Sequence, residues 1–268
     1  MDVPRTVRAA LADRPVEGAV CLEAGAGVGN TTCGLLDAGA ERVYAVTNDP
    51  EHARLVRDRL GTNQQSRASV LEADVRALPL PTDSVELVTA HGLFNLVAPA
   101  ELEAIVAEVT RVASPGSHLV VDDYEPLPED AEMRRLFALE NAATEAADGR
   151  PAVTFYPADV LRRLFVGSGW TFDRRATLLD PVPWTESHVR AHVGVARRAA
   201  ERIDGEVGTR LATAAERTGA EIGSESAGEM YSLAFRSSGG SSRTRRSEGD
   251  AAENASGRRD GWQRSGVR

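Results

Sequence analysis

The chain contains no lysine, so all 31 of its basic residues are arginines, and they face 40 Asp and Glu residues for a net charge of −9. A strongly acidic protein repels the phosphate backbone of nucleic acids, so we expect no nucleic-acid partner. The same bias predicts a halophilic origin, with high intracellular salt and a GC-rich genome. Loss of solubility or structure in concentrated KCl would contradict that hypothesis.

Cysteine and long apolar runs are also scarce. Cys21 and Cys33 are the only cysteines. They fit a reducing cytosol better than a disulfide framework, and neither has a partner at metal-ligand spacing. No segment approaches the roughly 18 apolar residues of a membrane span. The first residues, Met1 to Arg5, lack the apolar core of a signal peptide. We therefore expect a cytoplasmic protein that binds neither a membrane nor a metal ion.

A glycine-rich loop is the most informative motif that is present. The segment from Val20 to Asn30 consists of a short apolar strand, the acidic Glu23, three alternate glycines and the start of a predicted helix. The glycines are Gly25, Gly27 and Gly29. Such a loop lets a ligand approach the backbone, and helix-start amides attract an anionic group. A carboxylate here repels a pyrophosphate but suits a ligand that carries an ammonium and a sulfonium. The pattern Glu-x-Gly-x-Gly-x-Gly resembles motif I of the class I S-adenosylmethionine-dependent methyltransferases.

The resemblance extends to about Tyr124. The next three predicted strands end at Thr-Asn-Asp-Pro (47–50), Glu-Ala-Asp-Val (72–75) and His-Gly-Leu-Phe-Asn (91–95). A fifth strand is predicted over His118 to Val121 and a sixth over Trp170 to Leu179. Asp122 and Asp123, which follow the fifth strand, could orient the substrate or form a turn. By this resemblance, S-adenosylmethionine is the cofactor. The residues that it assigns to the cofactor are Glu23 for the ammonium, Asn48 and Asp49 for the ribose, and the Asp74 side chain and Val75 amide for the adenine. The implied fold is α/β, a doubly wound, seven-stranded, mostly parallel sheet with helical additions.

Structural roles compete with three of these assignments. Thr47 stands where the family usually has its ribose acid, and Asp49 before Pro50 is also a common helix N-cap. Asp74 could likewise cap a helix after its strand. Glu23 could hold the loop by accepting hydrogen bonds from backbone amides.

His91 is the best candidate for catalysis. It ends the fourth strand, where the family's loop lies beside the transferred methyl group, and histidine is the usual general base near neutral pH. The alternatives are a contact with the methionine end of the cofactor or a hydrogen bond within the loop, so His91 also counts as a cofactor-binding candidate. The Asn-Pro-Pro-Tyr-type segment that methylates planar nitrogens is absent. The sequence therefore favours a small-molecule acceptor.

The organisation of the chain predicts one methyltransferase domain over residues 1–236 and a disordered tail over 237–268. The tail is rich in Ser, Gly and Arg. Two helices broken near Gly205 are expected in an insertion of about 185–222. That insertion could build the substrate pocket, form a homodimer or simply be solvated.

The sequence thus predicts an enzyme that methylates a small molecule, distantly similar to quinone C-methyltransferases. Phe94 replaces the arginine of their Gly-Leu-Arg-Asn segment. An NAD or nucleotide-sugar oxidoreductase would favour Gly at position 30, where this chain has Asn. The alternative is a non-catalytic module that binds S-adenosylmethionine as a regulator.

Overall fold

The computed structural model describes residues 3–238, and within them a seven-stranded sheet forms the centre of the fold. Its strand order is β3-β2-β1-β4-β5-β9-β6. The strands of this sheet are β1 (Val20–Ala24), β2 (Arg42–Thr47), β3 (Ala68–Glu72), β4 (Val85–His91), β5 (Ala113–Tyr124), β6 (Trp170–Leu179) and β9 (Met230–Ser237). Strands β1 to β5 run parallel, and β9 lies antiparallel between β5 and β6. The predicted fold class is confirmed.

Helices cover both faces of this sheet, because its strands are apolar on both sides. On one face, α1 (Arg5–Leu11), α2 (Asn30–Asp37) and α3 (Pro50–Arg59) pack over β1 and β2. On the other face, α5 (Leu102–Val112) and α7 (Ala158–Gly167) pack over β4, β5 and β9. The short α4 (Thr62–Gln65) leads into β3.

The helical additions pack together beside the end of the sheet. They comprise α6 (Met133–Asp148), α8 (Glu186–Ala200) and α9 (Glu206–Ile222), with the two short paired strands β7 (Pro183–Trp184) and β8 (Glu225–Ser226). The two helices expected on either side of Gly205 are present. Their core centres on the aromatic rings of Phe137 and Trp184, whose centroids lie 5.4 Å apart.

The carboxyl ends of β1 to β5 meet at one edge of the sheet, which is where open α/β folds bind ligands. The sequence prediction for β5 covered only His118 to Val121, whereas the strand runs from Ala113 to Tyr124. Its upstream end pairs with β4 through Ala113 and Val85, and its downstream end pairs with β9 up to Tyr124. The tail was predicted from residue 237, but Ser237 still pairs with Trp170. The rest of the predicted tail, from residue 239, lies outside the described residues.

No helix between residues 3 and 238 is long and apolar enough to cross a membrane. In the same range, no cluster of three His, Cys, Asp or Glu side chains is arranged to hold a metal ion.

Candidate functional site

A cavity of about 540 Å³ lies at the carboxyl edge of the parallel strands. Its volume falls within the usual range for small-molecule sites. The residues that line it and that the sequence also predicted are Gly25, Gly27, Asn48, Asp49, Asp74, Val75 and His91. Segments that follow four adjacent strands therefore converge on one cavity.

The glycine loop forms the wall of this cavity after β1. Gly25 and Gly27 have φ values of +79° and +50°, which L side chains rarely adopt. A Cβ on Gly27 would meet no atom within 4 Å, so the backbone there faces open space. The loop is held in place by N–H groups of Gly25 and Ala26, which donate to the Val46 carbonyl at 3.0 and 2.8 Å.

Gly29 and Glu23 do not line the cavity. Gly29 is the left-handed N-cap of α2, and a Cβ there would lie 3.3 Å from Val56 of α3. Glu23 is only 2% exposed and accepts a hydrogen bond from the Thr32 hydroxyl. Burial raises the pKa of Glu23 to about 7, although Thr32 and the charge of His91 oppose the shift. Glu23 therefore lies beneath the loop, and its contact with a ligand stays a prediction.

At the end of β2, Asp49 has the structural role that the sequence offered as an alternative, that of a helix N-cap. The carboxylate of Asp49 accepts from the N–H groups of Glu51 and His52 at 2.8 and 3.3 Å, so it caps α3. These bonds lower the pKa of Asp49. Asp49 still lines the cavity and is about half exposed, so the cap leaves part of its carboxylate accessible. Thr47 lines the cavity too and accepts from the Asp49 N–H at 3.2 Å.

Asp74, after β3, pairs with the side chain of Arg76, a partner that the sequence analysis did not predict. Its two carboxylate oxygens accept from Arg76 Nε at 3.0 and 2.9 Å, and Arg76 also pairs with Glu101 at the start of α5. The hydrogen bond from the Arg76 side chain is the main cause that lowers the pKa of Asp74. Asp74 is thus fixed as an anion at the cavity wall. It does not cap a helix, because residues 73–84 contain none.

His91, after β4, forms a dyad with Asp122. Its Nδ1 lies 2.9 Å from Asp122 Oδ2, and Asp122 is only 4% exposed. Burial alone would lower the pKa of His91, but the hydrogen bond with Asp122 and the charges of Asp122 and Glu23 outweigh burial and raise it. The cavity wall therefore carries an imidazole that a buried carboxylate orients.

The neighbouring carboxylate, Asp123, holds the loop after β4. Its oxygens accept from the N–H and Nδ2 of Asn95, each at 3.0 Å. Burial raises the pKa of Asp123 to about 6 in spite of these bonds. The segment from Gly92 to Val97, which contributes Leu93 and Leu96 to the cavity, is anchored in this way.

Sequence reasoning missed the partners of these side chains. Asp122 was predicted to orient the substrate or to form a turn after a strand, and its pairing with His91 was not foreseen. Strands β4 and β5 are parallel neighbours, and His91 pairs in register with Asp122. That register was the signal available. Arg76 and Arg150 also line the cavity. Arg150 carries no sequence signal, because it reaches the cavity from the far end of α6.

Comparisons with known proteins agree with the fold. The family model for the methyltransferase domain matches residues 22–121. An uncharacterised methyltransferase of Geobacillus kaustophilus is 27% identical over 158 residues, which make up 58% of this chain and 70% of that protein.

Two solved structures share the fold. A Bacillus halodurans protein assigned as a methyltransferase superposes with a TM-score of 0.60 at 13% identity, covering 87% of this chain and 98% of its own. A mycolic acid cyclopropane synthase, solved with S-adenosylhomocysteine, gives a TM-score of 0.57 at 16% identity, covering 86% of this chain and 82% of its own. Residues 22–121 are thus similar to the methyltransferase domain, and the described chain has the fold of the solved methyltransferases.

Proposed function

We propose that this enzyme transfers the methyl group of S-adenosylmethionine to a small-molecule acceptor by in-line displacement. The observation that carries the proposal is the single cavity that joins the glycine loop, Asp49, Asp74 and His91. The bound cofactor supplies the activated methyl group, so the protein's main tasks are orientation and exclusion of water.

The donor set of the cavity fits an adenosyl ligand with an amino-acid end. Gly25 and Gly27 allow close approach to the backbone, and Asp49 and Asn48 offer acceptors for ribose hydroxyls. Asp74 would accept from the adenine amino group, and the Val75 amide would donate to the ring. Glu23 would hold the cofactor's ammonium, directly or through a water.

His91 would remove the proton from the acceptor's nucleophile. If Nδ1 carries the ring proton and donates a hydrogen bond to Asp122, the unprotonated Nε2 can act as the base. A raised pKa makes His91 a stronger base, but it also keeps the ring protonated to higher pH. Methyl transfer to a hydroxyl or carbon acid should therefore increase as pH rises through the pKa of His91.

Two features support a small molecule as the acceptor. The cavity has a volume of about 540 Å³, which lies within the range of small-molecule sites. The net charge of −9 disfavours nucleic acids. We further propose that the enzyme works in a salty cytoplasm.

Calorimetric titration with S-adenosylmethionine and S-adenosylhomocysteine, with NAD as a control ligand, tests the cofactor. The diagnostic variant is Gly27→Arg, because Gly27 lines the cavity and a Cβ there would meet no protein atom within 4 Å. Gly18→Arg is its matched control: Gly18 also has positive φ (+73°) and open space for a Cβ, but it precedes β1 at the opposite edge of the sheet.

We expect micromolar binding to the wild type and to Gly18→Arg, and loss of binding in Gly27→Arg. No binding of either ligand to folded wild-type protein would contradict the proposed function. Binding without turnover on any acceptor fraction would instead favour the regulatory module.

A further inference from the structure

Arg150 is placed at the cavity by the connection that follows α6. Gly149 ends that helix in the left-handed conformation, with φ of +72°, and Arg150 comes directly after it. Arg150 is exposed and lines the same cavity as the glycine loop. It lies outside residues 22–121, the part that matches the methyltransferase-domain family.

The backbone beside Arg150 is fixed by a series of hydrogen bonds. The Asn141 side chain holds residues 152–153 through three bonds of 2.9 Å. The Thr154 N–H donates to the Asn95 carbonyl at 2.7 Å, and Asn95 is the residue that Asp123 anchors. The segment is therefore attached both to α6 and to the loop after β4, which limits where the Arg150 side chain can reach.

Arg150 differs from Arg76, the other arginine on the cavity wall. Arg76 is neutralised by Asp74 and Glu101. Within residues 3–238, no carboxylate forms an ion pair with Arg150. A guanidinium without a carboxylate partner presents a planar fork of N–H donors that matches a carboxylate or a phosphate. Since the protein is acidic overall, this is the place in the cavity where an anion meets an uncompensated positive charge.

The same cavity also has an apolar section. Leu93, Leu96, Val97 and Ile105 line it together with Arg150. Such a surface suits a ligand with an apolar body, and the guanidinium suits an anionic group on that body.

We propose that Arg150 binds the anionic group, a carboxylate or a phosphate, of an acceptor with an apolar body. This inference rests on the proposed methyl transfer and names the class of its substrate. The cofactor's own carboxylate is the other source of the same chemistry. The acceptor is favoured because Arg150 comes from the part of the chain outside the family match, whereas the glycine loop and Glu23 belong to the part within it.

The test uses NMR on protein saturated with S-adenosylhomocysteine, with benzoate, phenylphosphate and the neutral benzamide as probes. Backbone amide shifts of residues 92–97 report binding. Arg150→Gln is the variant. Arg134→Gln is the matched control, because Arg134 is an exposed arginine of α6 that does not line the cavity.

We expect at least one of the two anions to bind the wild type and Arg134→Gln alike, and Arg150→Gln about tenfold more weakly, as loss of a charge-assisted hydrogen bond predicts. Benzamide should bind the wild type no better than it binds Arg150→Gln. Equal anion binding in Arg150→Gln, or no saturable binding of either anion to the wild type, would overturn the proposal.

A second titration separates the two sources of the anion. S-adenosylhomocysteine carries the amino-acid carboxylate, and 5′-methylthioadenosine lacks it. Equal affinity of wild type and Arg150→Gln for both supports the acceptor. A loss for S-adenosylhomocysteine alone would assign Arg150 to the cofactor and overturn the proposal. Failure of S-adenosylhomocysteine to bind the wild type would instead refute the proposed function itself.

Discussion

At the scale of single residues, the site depends on three buried carboxylates. Asp122 orients His91, Asp123 anchors Asn95, and Glu23 lies beneath the glycine loop. Each is almost completely removed from water, so each side chain influences its neighbours more strongly than a surface acid would. Two predictions follow from their protonation.

Asp122→Asn should lower the pKa of His91. The hydrogen bond and charge of Asp122 are the largest effects that oppose burial, so their loss lets burial lower the pKa of the ring relative to the wild type. NMR titration of the His91 Cε1–H signal, assigned by its loss in His91→Gln, measures this directly. The neutral, base-competent form should then predominate at lower pH than in the wild type. An unchanged or higher pKa would show that Asp122 does not set it.

The Glu23→Gln variant should gain stability relative to the wild type as pH rises. A carboxyl pKa raised from 4.5 to about 7 means that folding favours the protonated form. The stability that Glu23 contributes is therefore present below pH 4.5 and is lost as pH rises through 7. Between pH 5 and 8.5, the free energy of unfolding of the wild type should fall relative to Glu23→Gln by on the order of 2 kcal/mol.

Urea denaturation at several pH values measures this difference. Glu103→Gln, at an exposed position on α5, controls for the loss of one acidic charge. A constant difference between wild type and Glu23→Gln across this range would contradict the raised pKa.

At the scale of elements, close helix contacts make some glycines indispensable and leave others replaceable. Gly208 of α9 lies against the end of α8, where a Cβ would come within 2.4 Å of the Ala200 carbonyl oxygen and 2.5 Å of that of Ile203. These are backbone atoms, which cannot move aside as a side chain can. Gly167, at the end of α7, has open space for a Cβ.

Gly208→Ala should therefore destabilise the protein by roughly 1–3 kcal/mol, the range for overpacking, although alanine is the better helix former. Gly167→Ala is the matched control and should be neutral or slightly stabilising. Thermal unfolding of the two variants gives the comparison. Equal melting temperatures would mean that α8 and α9 are not as close as described.

The elements themselves were largely predictable from sequence, whereas their contacts were not. Trp170–Leu179 was predicted to the residue, because turn residues at Gly167 to Gly169 and the β-rich composition mark it locally. The upstream part of β5 was missed, because Pro115 and Gly116 read as a turn and only pairing with neighbouring strands extends the element. Local patterns carry no information on strand neighbours.

In the site too, local patterns predict positions along the chain but not the contacts between them. The positions of the glycine loop, Asp74 and His91 follow from motifs at the ends of strands. The pairing of His91 with Asp122 depends on the register of two strands. The position of Arg150 at the cavity depends on how α6 packs, and no sequence motif encodes that packing.

At the scale of the whole molecule, the surface is dominated by carboxylates and arginines. Many of these arginines pair with acids at the surface, for example Arg54 with Asp58 and Arg210 with Glu206. Such exposed pairs contribute little each, and the excess of acids leaves net repulsion that salt screens.

Melting temperature should therefore rise between 0.1 and 1 M KCl, and the protein should stay soluble and folded at higher concentrations. Circular dichroism and light scattering across this series measure both quantities. Precipitation or loss of structure in concentrated KCl would contradict the halophilic origin.

The position of β9 in the sheet has a consequence for synthesis on the ribosome. The ribosome makes β6 long before β9, yet β6 pairs with β9 and with no other strand of the sheet among the described residues. A nascent chain that ends before Met230 thus carries β6 without a backbone partner, and it leaves the β5 edge uncovered on that side. The sheet can be completed only after residue 237 has left the exit tunnel, so chains stalled earlier should be clients for chaperones.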